Sequence, residues 1–341
     1  MSDRKPLASL SLDLDNKWSY LKTHGETGWE SYPTYLPLVV PRVLDFLRRR
    51  GLTITFFIVG QDAARPENRD VLRAIVAAGH EIGNHSFKHE PWLHLYSEHE
   101  IEDELARAED AIEDATGVRP DGFRGPGFSL SPTVLRVLAR RGYRYDASTF
   151  PTFLGPLARA YYFLTARLTP EQRTEREVLF GTWKEGFRPL RPYSWQTPKG
   201  LLTELPVTTM PGLRVPIHVS YLLYLSRFLP GLALAYFRAA MRLCRWTGTE
   251  PSLLLHPLDF LGGEDVSELA FFPAMNLSAA RKLDFVGKVL DAYTGWFRVV
   301  PMGQHADEVL GRTFTPIVDP VSGNRIRHLG NLRAALVEGG A

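Results

Sequence analysis

The amino-acid sequence predicts an α/β fold in which parallel β-strands close into a barrel surrounded by helices. Residues 7–14 alternate apolar and polar side chains, and residues 52–59 are β-branched and aromatic, so both are typical of strands; segments with helical periodicity follow strands at short intervals. This alternation favours a parallel sheet with helices packed outside it. About seven strands can be counted along the chain, which favours a barrel over an open sheet.

The first part of the chain carries start and stop signals for several elements. Residues 41–50 begin with proline, carry an apolar stripe and precede a glycine, and this pattern predicts a helix. Residues 67–78 also precede a glycine, and residues 99–115 place apolar side chains on one face, so both are predicted helices. Residues 16–35, rich in aromatics, glycine and proline, are predicted to form a loop.

Later segments continue the alternation less regularly. Short strands are predicted at residues 80–85, 143–147, 201–208, 252–256 and 296–300, and helices after Ser131-Pro132 and at 278–293. We predict one catalytic domain over residues 1–310, with apolar helical insertions near 153–195 and 219–246. Residues 311–341 are predicted to form a C-terminal extension.

Composition places the chain among ordinary globular proteins and excludes some classes of function. The formal net charge of +2, from 40 basic and 38 acidic residues, lacks the basic excess of a nucleic-acid-binding protein. The single cysteine, Cys244, excludes an intrachain disulfide and a cysteine-based metal site. Neither a secretory signal nor an apolar run of the ~20 residues needed to span a membrane is expected, so we predict a cytoplasmic protein.

Polar side chains cluster at or just past the ends of predicted strands, where parallel α/β folds place their sites. The first cluster is Asp13-Leu14-Asp15, whose two carboxylates point to the same face of a strand. They repel each other, and burying both is costly unless a cation lies between them. The alternative is that they cap the following loop.

The second cluster is His85-Ser86-Phe87-Lys88-His89. On a helical turn, residues i and i+4 lie on one face, and two imidazoles at that spacing are a frequent metal-binding pair. Two histidines and one carboxylate give three ligands, which leaves positions open for water and substrate. The alternative is a pair of surface histidines, since the chain contains 10.

Two further elements could complete a site. Arg124 precedes a glycine/proline turn that exposes backbone N–H groups, which can stabilise an oxyanion. His256 ends an apolar strand and could serve as a proton donor, although a structural core histidine is equally compatible with this position. Nucleophilic catalysis by serine or cysteine is disfavoured, because the chain has no G-x-S-x-G elbow and Cys244 lies in an apolar helix.

In this order, these segments resemble the motifs of the polysaccharide deacetylase superfamily, also called the NodB-homology or carbohydrate esterase family 4, over roughly residues 8–300. The matching segments are Asp13-Leu14-Asp15, His85-Ser86-Phe87-Lys88-His89, Arg124-Gly125-Pro126-Gly127 and Leu254-Leu255-His256. The D-x-D form of the first motif resembles the branch that includes intracellular and lipid-linked-sugar deacetylases. The fourth motif, at residues 143–148, matches weakly, so Asp146 and Asp259 are both candidates for the acid that orients His256.

The resemblance implies a distorted (β/α)7-type barrel and a divalent metal. Its ligands would be Asp15, His85 and His89. We expect Zn²⁺ from these ligand types, although Co²⁺, Ni²⁺ and Fe²⁺ are also compatible with them.

The resemblance also implies the catalytic roles. Asp13 would be the general base, and Arg124 would hold it in place and keep it ionised. The backbone N–H of Gly127 would help to stabilise the oxyanion, and His256 would protonate the leaving amine. Substrate contacts are predicted for a set of apolar side chains near the motifs, namely Trp18, Trp92, Pro126 and Phe128.

The predicted activity is therefore removal of an N-acetyl group from an amino sugar. Residues 153–168 and 219–246 are strongly apolar, and arginines recur at helical spacing in the second stretch. Such helices can lie in a membrane interface, which suggests a lipid-linked sugar and peripheral contact with the inner membrane face. The alternative is that both stretches pack on the barrel or form a dimer interface.

Two other functions compete with this one. Within hydrolysis, the chain could be a deformylase of a lipid-linked amino sugar. In another class, it could be a non-catalytic carbohydrate- or lipid-binding protein on a deacetylase scaffold. Asp13, Arg124 and His256 argue against the second alternative, because binding alone needs no base and acid around a metal.

Overall fold

The structure is a computed structural model that describes residues 5–155 and 183–326. Its strands are β1 (Leu7–Leu14), β2 (Thr55–Ile58), β3 (Glu81–Asn84), β4 (Gly122–Phe123), β5 (Tyr145–Asp146), β6 (Tyr193–Thr197), β7 (Gly200–Glu204), β8 (Ser252–Leu255), β9 (Arg298–Val300), β10 (Ile317–Val318) and β11 (Arg325–Ile326).

The α-helices of the described residues lie mainly between these strands. They are α1 (Lys17–His24), α2 (Leu36–Arg48), α3 (Gly60–Ala63), α4 (Arg69–Ala77), α5 (Glu98–Thr116), α6 (Pro132–Arg141), α7 (Val219–Ser226), α8 (Pro230–Thr247), α9 (Ala279–Trp296) and α10 (Met302–Leu310). None of them is long and apolar enough to cross a membrane.

Seven parallel strands form the centre of the fold, in the order β8-β1-β2-β3-β4-β5-β7. The two outer strands of this set meet near Thr208, which follows β7. The backbone N–H of Thr208 lies 3.1 Å from the carbonyl oxygen of Ser252, and the Ser252 N–H donates to Thr208 Oγ1 at 2.6 Å. Because these bonds, not a strand ladder, join β7 to β8 in the described residues, the barrel is distorted. The predicted (β/α)7-type fold is confirmed.

The first strand shows why the centre of the barrel is stable. All eight residues of β1 are buried, since β1 pairs in parallel with β2, β8 and β9. Its alternation of apolar and polar residues predicted the strand. Its polar residues Ser9, Ser11 and Asp13 are nevertheless buried, because a strand inside a parallel sheet is covered on both faces. Its carboxyl end carries Asp13 into the interior of the barrel mouth.

Two predictions for the region after β1 need correction. Residues 16–35 are not a plain loop, because α1 occupies Lys17–His24 between the Asn16 side-chain cap and Gly25 in the left-handed conformation. Helix α2 begins at Leu36, five residues before the predicted start. Pro37 lies in its first turn, and Pro41, which we took as the start signal, lies inside the helix.

The predicted insertions and extension are only partly described. Residues 156–182 of the first insertion and 327–341 of the extension lie outside the described residues. Strand β6 was not predicted; it pairs antiparallel with β7 and carries β10 on its other side, so residues 311–326 add strands to the sheet. The single-domain boundary at residue 310 stays a prediction.

Helix α5 begins with a capping box that should contribute measurably to stability. The Glu100 backbone N–H donates to Ser97 Oγ at 3.3 Å, and the Ser97 N–H donates to Glu100 Oε2 at 2.8 Å. We expect Ser97→Ala to lower the free energy of unfolding by about 1 kcal/mol in a urea titration. Ser97→Asp retains an acceptor at the cap, and an equal loss in both variants would contradict this account.

Candidate metal centre

The candidate site lies at the carboxyl ends of the parallel strands. Asp13 and Asp15 follow one another at the end of β1, with only 3% and 6% of their surface exposed. His85 comes directly after β3, and Arg124 directly after β4. Because these strands run in parallel, their ends bring the side chains to one edge of the barrel.

Asp15, His85 and His89 come together as a set of metal-ligand atoms. Asp15 Oδ1 lies 3.4 Å from His85 Nε2 and 3.1 Å from His89 Nε2. One ligand atom from each of the three residues lies within 4.8 Å of the other two. Asp15 Oδ1 is buried without a hydrogen bond of proper geometry, which is costly unless a cation compensates it. The donor set therefore fits a divalent metal, with three protein ligands and open positions.

The backbone fixes the tautomer of His85. Its Nδ1 lies 2.6 Å from the carbonyl oxygen of Arg124, which can only accept a hydrogen bond. Nδ1 therefore carries the proton, and the lone pair of Nε2 points toward Asp15. This second hydrogen bond is the arrangement that orients metal-binding histidines.

The charges of the site favour a cation between its carboxylates. Burial raises the pKa of Asp15, but the nearby His89 and His85 outweigh that effect and hold the pKa well below its usual value. Burial lowers the pKa of His85, while Asp13 and Asp15 raise it, and the net shift is upward. The first shift keeps the Asp15 carboxylate ionised, and the second favours positive charge beside it.

The histidine pair does not lie on a helical turn, so that part of our interpretation is wrong. Residues 85–90 form an irregular loop in which Ser86 and His89 have φ values of 60° and 53°. The two rings nevertheless lie 5.0 Å apart, centroid to centroid. Loop geometry, and not helical spacing, brings the two imidazoles together.

Glu104 of α5 holds this loop, and the sequence analysis missed it. Its Oε2 accepts hydrogen bonds from the backbone N–H groups of Phe87 (3.1 Å) and Lys88 (2.9 Å). Glu104 is only 3% exposed, so a buried carboxylate anchors the segment between the two histidines. The one available signal was an acidic residue on the apolar side of a predicted amphipathic helix.

Arg124 and Asp13 form a buried pair beside the three ligand residues. Arg124 is fully buried, and its Nη1 donates to Asp13 Oδ1 and to Ser11 Oγ, both at 2.7 Å. Its Nε donates to the carbonyl oxygen of Ala147 at 3.0 Å. Asp13 Oδ2 lies 3.9 Å from His85 Nε2, so the second carboxylate oxygen faces the ligand cluster.

His256 lies on the other side of the cluster and is half-buried. Its Nε2 is 4.0 Å from Asp15 Oδ2, and its ring stacks on His218 at 4.8 Å between centroids. Burial lowers the pKa of His218 well below its usual value, and His256 adds to the effect. The sequence analysis did not single out His218, because nothing in its sequence context marked it as a neighbour of His256.

The two acids proposed to orient His256 have different surroundings. Asp259 Oδ2 accepts the backbone N–H of His256 at 2.8 Å, and Asp259 Oδ1 accepts from Ser220. Asp146 instead accepts from Ser148 Oγ, which in turn accepts the N–H of Gly125. Asp259 is therefore the acid that contacts His256, through the backbone and not through the ring.

The predicted substrate contacts lie around this cluster, and their role stays a prediction. Trp18 is buried, with its ring edge-on to His89 at 6.3 Å and its Nε1 donating to Asp62 Oδ1 at 2.9 Å. Trp92 is half-buried, and Phe128 packs on a neighbouring phenylalanine. Pro126 is buried, whereas Gly127 beside it is exposed, with a φ of 57°.

Asp62 is a further residue that the sequence analysis missed. Its Oδ1 accepts hydrogen bonds from Asn16 Nδ2 (2.7 Å) and Trp18 Nε1, whereas its buried Oδ2 makes no hydrogen bond. Burial raises the pKa of Asp62 to about 7, although both of these donors lower it. This carboxyl fixes the chain on either side of Lys17, directly after the proposed ligand Asp15.

Known proteins resemble this chain over part of its length. Residues 27–145 match the family described as Polysaccharide deacetylase. A peptidoglycan deacetylase of Helicobacter pylori is 31% identical over 32% of this chain and 36% of its own length. A peptidoglycan-N-acetylmuramic acid deacetylase of Bacillus subtilis is 33% identical over 30% of this chain and 39% of its own length. The chain thus spans less than half of these relatives.

A solved structure supports the fold over nearly the whole chain. It comes from a Mycobacterium smegmatis protein proposed to be a polysaccharide deacetylase, and it covers 97% of this chain and 100% of its own. The TM-score is 0.59 at 22% sequence identity, so this likeness concerns the fold alone. The family match includes His85, His89 and Arg124, but it begins after Asp13 and Asp15.

The anchoring role of Glu104 can be tested by metal binding. We expect Glu104→Ala to weaken Zn²⁺ affinity about 10–100-fold, because the loop that carries both histidines loses its buried acceptor. Isothermal titration of metal into apoprotein measures this change. Glu113→Ala, a substitution at an exposed position of the same helix, is the control, and equal affinities for all three proteins would exclude the role.

The buried carboxyl of Asp62 predicts a pH-dependent stability. Its pKa in the folded protein, about 7, exceeds the ordinary value of 3.8, so the folded state binds more protons between these values. The stability due to Asp62 is then present below about pH 4 and is lost as the pH rises through 7. We expect Asp62→Asn to abolish this pH-dependent loss of stability, which amounts to up to about 4 kcal/mol in the wild type.

Urea unfolding at several pH values, compared between wild type and Asp62→Asn, isolates the contribution. Asp70→Asn, which removes an exposed carboxylate in α4, controls for the change in net charge. A difference between wild type and Asp62→Asn that stays constant from pH 4 to 8 would show that Asp62 does not titrate in this range.

Proposed function

We propose that this chain, which belongs to the polysaccharide deacetylase superfamily, is a metal-dependent amide hydrolase that removes the N-acetyl group of an amino sugar. The observation that carries the proposal is the convergence of Asp15, His85 and His89 beside the buried Asp13–Arg124 pair. A structural metal site would need no such carboxylate–guanidinium pair next to its open side. The arrangement is what hydrolysis of an unactivated amide requires.

Asp15, His85 and His89 would hold the metal, for which we propose Zn²⁺. Nitrogen and oxygen ligands of this kind also accept Co²⁺, Ni²⁺ or Fe²⁺. When bound, the metal supplies Lewis-acid polarisation of the acyl carbonyl and acidifies water at neutral pH. The Nδ1 proton of His85, held by a backbone carbonyl, keeps its Nε2 available as a ligand.

Asp13 is proposed as the general base. Its Oδ1 is engaged by Arg124, so Oδ2 is the oxygen that can take a proton from an attacking water. The buried guanidinium pairs with this carboxylate at 2.7 Å, so the orientation of the carboxylate is fixed. Arg124 thus acts as a positioning residue for the base.

His256 is proposed as the general acid on the opposite side. An amine leaves poorly as an anion, so a proton must be delivered to its nitrogen as the bond to carbon breaks. His256 is half-buried and its Nε2 lies 4.0 Å from Asp15 Oδ2, which supports its assignment as the donor. The N–H of exposed Gly127 would share the stabilisation of the oxyanion.

The substrate is proposed to be a lipid-linked amino sugar. The apolar helices α7 and α8 support this proposal, because α7 begins next to His256 and both helices expose large apolar side chains. Such a substrate would require peripheral contact with a membrane surface. A cytoplasmic location at the inner membrane face remains our prediction for the cell.

The proposal is tested by metal content and amine release together. We expect about one Zn²⁺ per wild-type chain and release of a primary amine from N-acetylated amino-sugar oligomers or glycolipids. His85→Ala should lose both metal and activity. Asp13→Asn should keep the metal but lower the rate about 10²–10⁴-fold, because it removes only the base.

Matched substrates and controls make the outcome decisive. N-formyl and N-acetyl forms of the same sugar separate the deformylase alternative from the deacetylase. His99→Ala, at an exposed position of α5, controls for loss of a histidine. If the wild-type protein contains no metal and shows no turnover, but binds sugar or lipid, the non-catalytic binding protein replaces the hydrolase as the proposed function.

A further inference from the structure

We propose that α7 and α8 form a membrane-docking hairpin that seats the protein on an anionic lipid bilayer, with the site mouth beside the membrane. This inference rests on the proposed function, since it names the surface from which a lipid-linked substrate would enter. The proposed binding partner of this surface is a bilayer with anionic headgroups.

An exposed apolar surface lies at the turn of the hairpin. Five apolar residues, each between 45% and 59% exposed, form what we call the hairpin patch. They are Tyr221, Tyr224, Phe228, Leu229 and Leu232. Contiguous apolar side chains of this size are rarely left open to water without a partner. The patch therefore indicates a surface that contacts a binding partner when the protein functions.

The hairpin does not need the patch for its own stability. Leu222 and Leu223 of α7 and Ala233, Phe237 and Met241 of α8 are buried in the main core. These residues already attach both helices to the barrel. The outward side chains are thus additional apolar surface on a firmly held element, as expected for a docking site.

The charge of the hairpin matches an anionic partner. Residues 205–249 contain no aspartate or glutamate. Arg238, Arg242 and Arg245 are exposed and recur on one face of α8 at spacings of four and three residues. An exposed stripe of Leu232, Ala235, Ala239 and Trp246 runs alongside them.

A helix with an apolar stripe next to a basic one is typical of helices that lie in the membrane interface. The arginines would reach lipid phosphates, while the apolar stripe and the hairpin patch enter the acyl region. Trp246, 85% exposed near the end of α8, has the ring type that favours the headgroup level.

The hairpin is continuous with the candidate site. The Tyr221 ring lies 5.1 Å from His218, and His218 stacks on His256. Ser220 Oγ donates to Asp259 Oδ1 at 2.7 Å, so the first turn of α7 is fastened to the same segment as the proposed acid. A sugar held at the site could keep its lipid tail in the bilayer along this path.

A second copy of the chain is a less suitable occupant. A symmetric dimer through the hairpin would place the arginine stripes of two copies near each other. Since residues 205–249 supply no carboxylate, these stripes would repel without compensation from the hairpin itself. A bilayer with anionic headgroups satisfies both the apolar patch and the arginines.

Vesicle flotation of the full chain tests the inference. We expect wild type to float with phosphatidylcholine–phosphatidylglycerol vesicles, and far less with phosphatidylcholine alone or at high salt. The triple variant Phe228→Ser, Leu229→Ser, Leu232→Ser should lose binding about tenfold or more, because it removes three exposed apolar side chains that would enter the bilayer. Val321→Ser, at an 81% exposed position between β10 and β11, should bind like wild type.

A second measurement separates this inference from the proposed function. Amine release from a short soluble amino-sugar oligomer should be unchanged in the triple variant, whereas release from the same sugar on a lipid should fall. Vesicle binding without turnover of either substrate would support the docking surface and contradict the proposed enzymatic activity. Wild type that does not float, or a triple variant that floats equally well, would overturn the docking surface.

The dimer alternative has its own signature. Analytical ultracentrifugation without lipid should show the same mass for wild type and the triple variant. A wild-type dimer that the triple variant converts to a monomer would assign the patch to self-association and contradict the bilayer as its occupant.

Discussion

The interaction on which the site depends is the burial of Arg124 in the mouth of the barrel. Its guanidinium reaches Ser11 and Asp13 on β1, the backbone of Ala147 after β5, and the Sδ of Met302 in α10. A fully buried cation is tolerable only with such a set of partners. The carbonyl oxygen of the same residue accepts a hydrogen bond from His85 Nδ1 and so orients the ring, which means that one buried residue positions both the proposed base and a proposed ligand.

The sequence predicts those parts of the fold and site that are encoded by local pattern. Strand β1 is found at its observed bounds because apolar and polar residues alternate along residues 7–14, and the five-residue histidine segment is marked by its own motif. By contrast, α1 has no clear apolar face and was taken for a loop. Its start is fixed by the Asn16 cap and its end by Gly25, both of which are also ordinary loop residues.

The missed positioning residues are those whose partners are distant in sequence. Glu104 lies 16 and 17 positions from the amides that it accepts, and Asp62 lies 44 and 46 positions from its two donors. His218 meets His256 only because α7 packs beside β8. None of these contacts leaves a periodic signal, so the sequence shows which residues carry the chemistry better than it shows which residues hold them.

The hairpin packs next to the proposed acid. His218 precedes α7 and lies against His256, while the far end of α7 leads into the exposed hairpin patch. Because burial and the neighbouring His256 lower the pKa of His218, the neutral form of His218 is favoured. Its flat ring therefore supports the proposed acid from the side of α7 without adding a second positive charge. The same helix carries exposed side chains of the proposed docking surface, Tyr221 and Tyr224, and begins at the ring that stacks on the proposed acid, so the two proposals share α7 as their structural link.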